Sequence, residues 1–180
     1  MEKWQAIDAA APEDARRLLR ACCGSERWVE RMIRRRPYSN REALLSAARD
    51  EWLALDETDW KEAFSHHPKI GDREALRRRF PDTHHLSSRE QAGVEGAGGD
   101  VLDALAAGNR EYQARFGYIF IVCASGKSAD EMLGLLRERL NNDPATEIHV
   151  AVDEQAKITA LRLTAPNEGY QGARVPKCQG

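Results

Sequence analysis

The sequence is short of the features that mark several functional classes. Long apolar runs are missing: no stretch approaches the ~20 consecutive apolar residues of a membrane-spanning helix. A surplus of one charge is missing too. The 27 Lys and Arg face 29 Asp and Glu, for a net charge of −2, so the basic excess usual in a nucleic-acid binder is absent. Cysteine is scarce, and Cys22, Cys23, Cys123 and Cys178 include no C-x-x-C pair. That removes a zinc knuckle and a dithiol redox motif, and reduced thiols in a cytoplasmic protein are the expectation. The opening MEKWQAIDAA lacks the basic start and apolar middle of a secretory signal. The closing KCQG is not a peroxisomal address. There is no internal repeat. Neither H-x-x-x-H nor H-E-x-x-H occurs, so no metal is expected. SGKS, at 125–128, has the ending of a phosphate-binding loop, but Ile121 stands where the loop's first glycine must be.

What remains is ordinary for a globular chain: 31% charged and 42% hydrophobic residues in 180 positions, enough for a core without disulfides. Helical signals dominate. PEDARRLLRACCG has Pro12 in its first turn, Glu13 and Asp14 after it, and Gly24 beyond its end. In SERWVERMIRRRP, Ser25 is the cap, and Trp28, Val29, Met32 and Ile33 share a face. SNREALLSAARDEWLAL opens with a capping box of Ser39 and Glu42. TDWKEAFSHHP is a short helix that Pro68 must end nearby, and DREALRRRF is a further candidate. The runs Arg34–Arg36 and Arg77–Arg79 fall at helix ends, where cations suit the dipole, and read as solvated faces.

A long helical pattern runs from SSREQAGV to Gly117, with Val101, Leu102, Leu105, Tyr112 and Phe116 on its apolar stripe. YIFIVCA, 118–124, is too short for a helix of its own and reads as a buried extended segment. SADEMLGLLRERL is boxed by Ser128 and Glu131. Residues 144–164 are ambiguous. IHVAV and ITALRL could form a hairpin, yet Ile148, Val152, Gln155, Ile158 and Arg162 share a helical face that Pro144 would start well. These patterns make the chain mostly helical: one compact domain over 1–164 with a short extended segment near 118–124. The Gly/Pro-punctuated tail, 165–180, is expected to be loose or an arm onto a partner chain.

Two stretches could carry chemistry. In FSHHPKIGD, Trp60, Ala63, Phe64 and His67 fall at i, i+3, i+4 and i+7. That apolar face is buried, and a ring aimed by packing is what catalysis needs. His66 lies about 100° round the helix, nearer solvent. The plainer reading makes His67 a core histidine bonded to a carbonyl at the helix end. In SSREQAG, Ser87, Glu90 and Gln91 have capping-box spacing, and the plainer reading is a cap and nothing else. A helix N-terminus also presents free N–H donors, so the three make a polar platform for a small heteroatom-rich ligand. The pairs His66–His67 and His84–His85 could serve a metal-dependent hydrolase, and a helical protein-interaction module is the third alternative.

HHPKIGD, SSREQAGV, YQARFGYIFIVCASGKSADEMLGLLRERL and KITALRL, in that order and spacing, resemble the 2-oxo-4-hydroxy-4-carboxy-5-ureidoimidazoline (OHCU) decarboxylases over roughly residues 7–164. The resemblance implies an all-helical fold, no cofactor, usually a homodimer, and release of (S)-allantoin from a small-molecule substrate late in urate breakdown. Neither nucleic acid nor membrane is implied. It tilts 144–164 toward helix. It also implies His67 as the catalytic histidine, Glu90 as its acidic partner, and Pro68, Ser87 and Gln91 as substrate ligands. Phe120 and Val122 would offer ring contacts and backbone groups. Arg162 would meet the substrate's carboxylate or ureido group.

Overall fold

Local capping chemistry sets most of the helix starts. Residues 1–67 and 91–165 are described by the computed structural model, with the side chains of 91–98 outside that description. Among them are eight helices: α1 Lys3–Ala9, α2 Pro12–Arg20, α3 Glu26–Arg34, α4 Arg41–Leu53, α5 Glu57–Ser65, α6 Gln91–Phe116, α7 Ala129–Arg139 and α8 Pro144–Thr164. No strand occurs among the described residues, so the fold is all-α. Pro12 opens α2, where its missing N–H costs nothing. Ser25 accepts from the Trp28 N–H at 3.3 Å. Ser128 and Glu131 make the reciprocal box before α7. Asp56 accepts from the N–H groups of Thr58 and Asp59, and Asp143 from that of Thr146.

Two local readings need correction. The cap of α4 is Asn40, which accepts from the Ala43 N–H at 2.7 Å, not the box of Ser39 and Glu42. Asn caps as well as Ser and sits one residue nearer the helix. Arg36 is not a solvated residue. It donates to the carbonyls of Asp8 and Ala10 at 2.7 and 2.6 Å, satisfying acceptors that the end of α1 leaves open. Helix α1 itself escaped the sequence reading, because Gln5 accepting from the Glu2 N–H at 3.0 Å replaces the usual Ser or Thr cap.

The chain falls into two compact units, residues 1–59 with those from 158 onward, and residues 60–157. In the first, α1 packs on α2 and α4, α2 on α3, and α3 on α4. Its core is apolar: Ile7, Leu19, Trp28, Met32, Leu44 and Trp52 are buried. The polar tips of its aromatics are bonded, Trp28 Nε1 to the Ala48 carbonyl at 2.9 Å and the Tyr38 hydroxyl to that of Met32 at 2.7 Å, as buried Trp and Tyr require.

In the second unit α6 packs along α7. Helix α6 stops at Phe116 because Gly117 adopts φ +80°, a left-handed turn suited to glycine, with its N–H on the Gln113 carbonyl at 2.9 Å. Residues 118–124, expected to be extended, form neither helix nor strand, and Tyr118 to Cys123 are all buried. The ambiguous stretch 144–164 is helix. Glu147, Ile148, Ala151, Val152, Gln155, Thr159 and Leu163 are its buried residues, a 3.6-residue stripe. A strand over ITALRL would alternate, yet Leu161 is exposed and Ile158 and Ala160 are both half-buried. No described helix is long and apolar enough to cross a membrane. The candidate helix at 72–80, Arg77–Arg79 and the tail from 166 lie outside the described residues.

Candidate active site

His67 sits just past the end of α5. The helix ends at Ser65, and the N–H groups of His66 and His67 reach back to the Ala63 and Phe64 carbonyls at 3.2 Å, the tighter i→i−3 closure common at helix ends. A proline at 68 disfavours helical geometry at 67, which explains the early stop. The i+7 argument from Trp60 therefore extends two residues beyond the helix. Its ordering of the two rings holds nonetheless: His66 is exposed, His67 is half-buried, and Ala63 and Phe64 are buried. Trp60 is half-buried and meets the His149 ring edge-on at 5.8 Å.

One partner of His67 is a residue the sequence did not reveal. Its Nε2 lies 2.5 Å from Oε1 of Gln155 on α8. Gln155 is 0% exposed. The sequence pattern placed it on the apolar stripe of α8 but offered no hint of what it bonds.

Segment 118–124 has no strand to pair with among the described residues, and side chains satisfy several of its peptide groups. The Phe120 N–H donates to Asn109 Oδ1 of α6 at 2.9 Å. The Cys123 N–H donates to Glu154 Oε2 of α8 at 2.6 Å. Arg139 of α7 donates from Nη1 to the Ile121 carbonyl at 2.7 Å, and Lys127 to the Cys123 carbonyl at 2.8 Å. The N–H and C=O of Val122 and the N–H of Ile121 make no such bond among the described residues. They form a short row of backbone donors and an acceptor on a fixed strap.

Arg139 is itself anchored. It is buried against Glu147, donating to Oε1 at 2.6 and 2.8 Å, and its guanidinium stacks 4.6 Å over the Phe120 ring. The Tyr112 hydroxyl donates to the same Glu147 oxygen, and Asn142 to the other at 2.7 Å. Burial, then the bond to Glu147, pushes the Tyr112 phenol well above its usual range, so it stays a neutral donor. Every polar atom in this buried cluster works through a partner, which is the condition for keeping charges inside.

The other expected residues divide. Pro68, Ser87 and Glu90 lie outside the described residues, as do His84 and His85. Gln91 opens α6, but its side chain is outside the description. Phe120 is buried on the strap, its N–H committed to Asn109. Arg162, in the last turn of α8, is half-buried and donates to the Cys22 carbonyl at 3.2 Å, while Lys3 Nζ donates to the Arg162 carbonyl at 2.5 Å. Burial pushes both neighbouring thiols up, that of Cys23 to about 12, so neither is a nucleophile at neutral pH. Among the described residues no three His, Cys, Asp or Glu side chains group as metal ligands.

An aimed imidazole and a strap of backbone groups between aromatic rings can bind a flat, amide-rich heterocycle and move a proton. The chain is 38% identical over 145 residues to the uric acid degradation bifunctional protein TTL of Arabidopsis thaliana, covering 80% of this chain and 44% of that protein. It is 36% identical over 102 residues to the 2-oxo-4-hydroxy-4-carboxy-5-ureidoimidazoline decarboxylase of Amia calva, covering 54% and 55%. The chain thus spans about half the length of these curated relatives. Among solved structures it is similar to an OHCU decarboxylase crystallised in the presence of (S)-allantoin, with a TM-score of 0.67 and 34% identity over 86% of this chain and 96% of that one. The description OHCU decarboxylase matches residues 8–164, and with nearly the whole chain so covered, it belongs to the OHCU decarboxylase family.

Proposed function

We propose that this chain removes the carboxylate of OHCU and delivers (S)-allantoin, with His67 as the proton-handling group. The observation that carries the reading is a juxtaposition on α8. Consecutive residues hold the two halves of a site: Glu154 holds the strap at Cys123, and Gln155 holds His67. The Phe64 ring, three residues before His67, meets Tyr118 at the start of the strap at 5.2 Å.

The chemistry asks little beyond these parts. When the carboxylate leaves as carbon dioxide, its bonding pair needs a sink. Many decarboxylases borrow one from a cofactor, but in OHCU the carboxylate-bearing carbon adjoins an imine-type ring carbon, so the pair runs into the substrate's own ring. The protein must orient the carboxylate, bond the ring and urea, and place a proton on one face. A histidine near neutrality suits that transfer, worth about 10²–10⁴-fold. Glu90 beside it would hold its charge state and aim. Ser87 and Gln91 suit the amide edges of the substrate, Pro68 and Phe120 would contact its ring, and Val122 would offer its peptide group. Arg162 has no carboxylate partner among the described residues, and a half-buried guanidinium in that condition suits an anionic group of the substrate. The homodimer and the cytoplasmic setting rest on the family resemblance and the reduced thiols, and light scattering of the purified chain tests the first.

The relatives lend no support to an interaction module or a metal-dependent hydrolase. A coupled assay decides the activity: the substrate is generated enzymatically from urate, the chain is added, and the optical rotation of the product is followed. Rapid appearance of (S)-allantoin is expected. A racemic product formed at the uncatalysed rate would end the proposal.

A further inference from the structure

We infer that Gln155 is a positioning residue for His67, fixing the tautomer and the aim of the ring through a neutral amide. The inference rests on the reading of His67 as the proton-handling group. The contact joins the Nε2 of His67 to the amide oxygen of Gln155 at 2.5 Å. An amide oxygen only accepts, so Nε2 carries a hydrogen and the neutral ring keeps its lone pair on Nδ1.

Gln155 is placed to enforce this. It is fully buried on the inner stripe of α8, in a run with the buried Ala151, Val152 and Thr159. An amide in such surroundings costs free energy unless it is bonded, so it cannot swing out to solvent as an exposed glutamine would. His67, by contrast, stands beyond the last helical residue of α5, where its own backbone restrains it least. The restraint arrives from 88 residues away. It also comes from the helix whose preceding residue, Glu154, holds the Cys123 N–H at 2.6 Å. One rigid element thus sets the spacing between the imidazole and the strap, the kind of support a site needs to hold its geometry.

The amide is a telling choice. A carboxylate at the same place would favour the imidazolium and add a buried charge. The amide orients the ring and leaves its charge state to other groups.

The test reads the ring directly. The chain is labelled with ¹⁵N-histidine, and long-range ¹H–¹⁵N correlations are recorded at a pH where the ring is neutral, with His67 assigned by its loss in His67→Asn. The wild-type ring is expected in the Nε2–H form. In Gln155→Leu, similar in bulk but without an acceptor, the ring should move to a mixture with the Nδ1–H form, and Gln155→Glu, which restores an acceptor oxygen, should return it to Nε2–H. In the coupled assay Gln155→Leu should lose about 10–100-fold in kcat, as a misaimed group does, with KM within about threefold. A wild-type ring in the Nδ1–H form, or a tautomer unchanged by Gln155→Leu, would overturn the inference. Should Gln155→Leu fail to fold, the wild-type tautomer decides alone. Should the wild-type chain show no decarboxylation, the proposed activity falls while the ring measurement still judges Gln155.

Discussion

Residues 1–59 with the end of α8, and residues 60–157, solve burial in different ways. The first unit buries mainly apolar side chains around Trp28, Leu19 and Trp52, and its buried polar residues are Ser25, which caps α3, and Thr159. The second buries Asn109, Arg139, Glu147 and Gln155. Each buried polar group costs stability unless fully bonded, and a buried ion pair is often no better than a well-packed apolar one. Stability alone therefore does not explain the second pattern. Its bonds end on the strap and on His67: Asn109 on Phe120, Arg139 on Ile121, Gln155 on the imidazole. One unit is built chiefly to pack, and the other also spends polar contacts on holding the strap and His67.

The largest effect that would sharpen this contrast is at His67. His67→Asn should lose about 10²–10⁴-fold in turnover with the fold intact by circular dichroism, while the exposed neighbour variant His66→Ala keeps most activity in the same assay. The opposite order would place the chemistry on the wrong ring.

Next comes the buried pair. Glu147→Ala should cost about 3–5 kcal/mol in urea unfolding, since it leaves Arg139 buried without its partner. Turnover should fall as well, because Arg139 holds the Ile121 carbonyl. The double variant Arg139→Leu with Glu147→Leu should regain part of the stability without regaining turnover. Full recovery of both would show that the polar cluster is only packing, and the contrast between the units would dissolve.

A smaller effect is expected at Arg162→Lys. A point charge replaces a planar fork, so KM should rise about tenfold with kcat nearly kept, if the contact is uniform through the reaction. Unchanged steady-state kinetics would remove Arg162 from substrate binding. Smallest are the changes confined to the first unit. Ser25→Ala should cost about 1 kcal/mol through the lost cap. Arg27→Ala, which breaks its solvent-screened pairs with Asp56 and Asp59, should cost less than loss of the cap. Differential scanning calorimetry separates the two, and neither should alter turnover.

Much of the fold was legible because its causes are local. Pro12, Ser25, the Ser128–Glu131 box and Gly117 act on backbone groups within four residues of themselves, and each works as its neighbourhood implied. The strap was legible for the same reason: an apolar run between the turn at Gly117 and the cap at Ser128 is too short to be helical. The misses are small shifts of the same local kind, as at Asn40, or arise where a side chain reaches into another element. Arg36 reads as solvated from its neighbours in sequence, and only the fold brings the carbonyls of Asp8 and Ala10 within its reach.

The site divides along that line. Composition and periodicity by themselves determined a mostly helical chain, a buried non-helical strap at 118–124, and a half-buried His67 beside an exposed His66, because apolar spacing and caps act over one or two turns. Whether 144–164 is helix or hairpin was settled only by packing, where a 3.6-residue stripe is buried and an alternating one is not. The tethers were decided by tertiary structure alone. Asn109, Arg139 and Glu154 reach the strap from 11, 18 and 31 residues away, and Gln155 reaches His67 from 88. A polar residue on an apolar stripe can be seen in a sequence, but its partner cannot, since no periodicity links residues that meet only when separate helices pack.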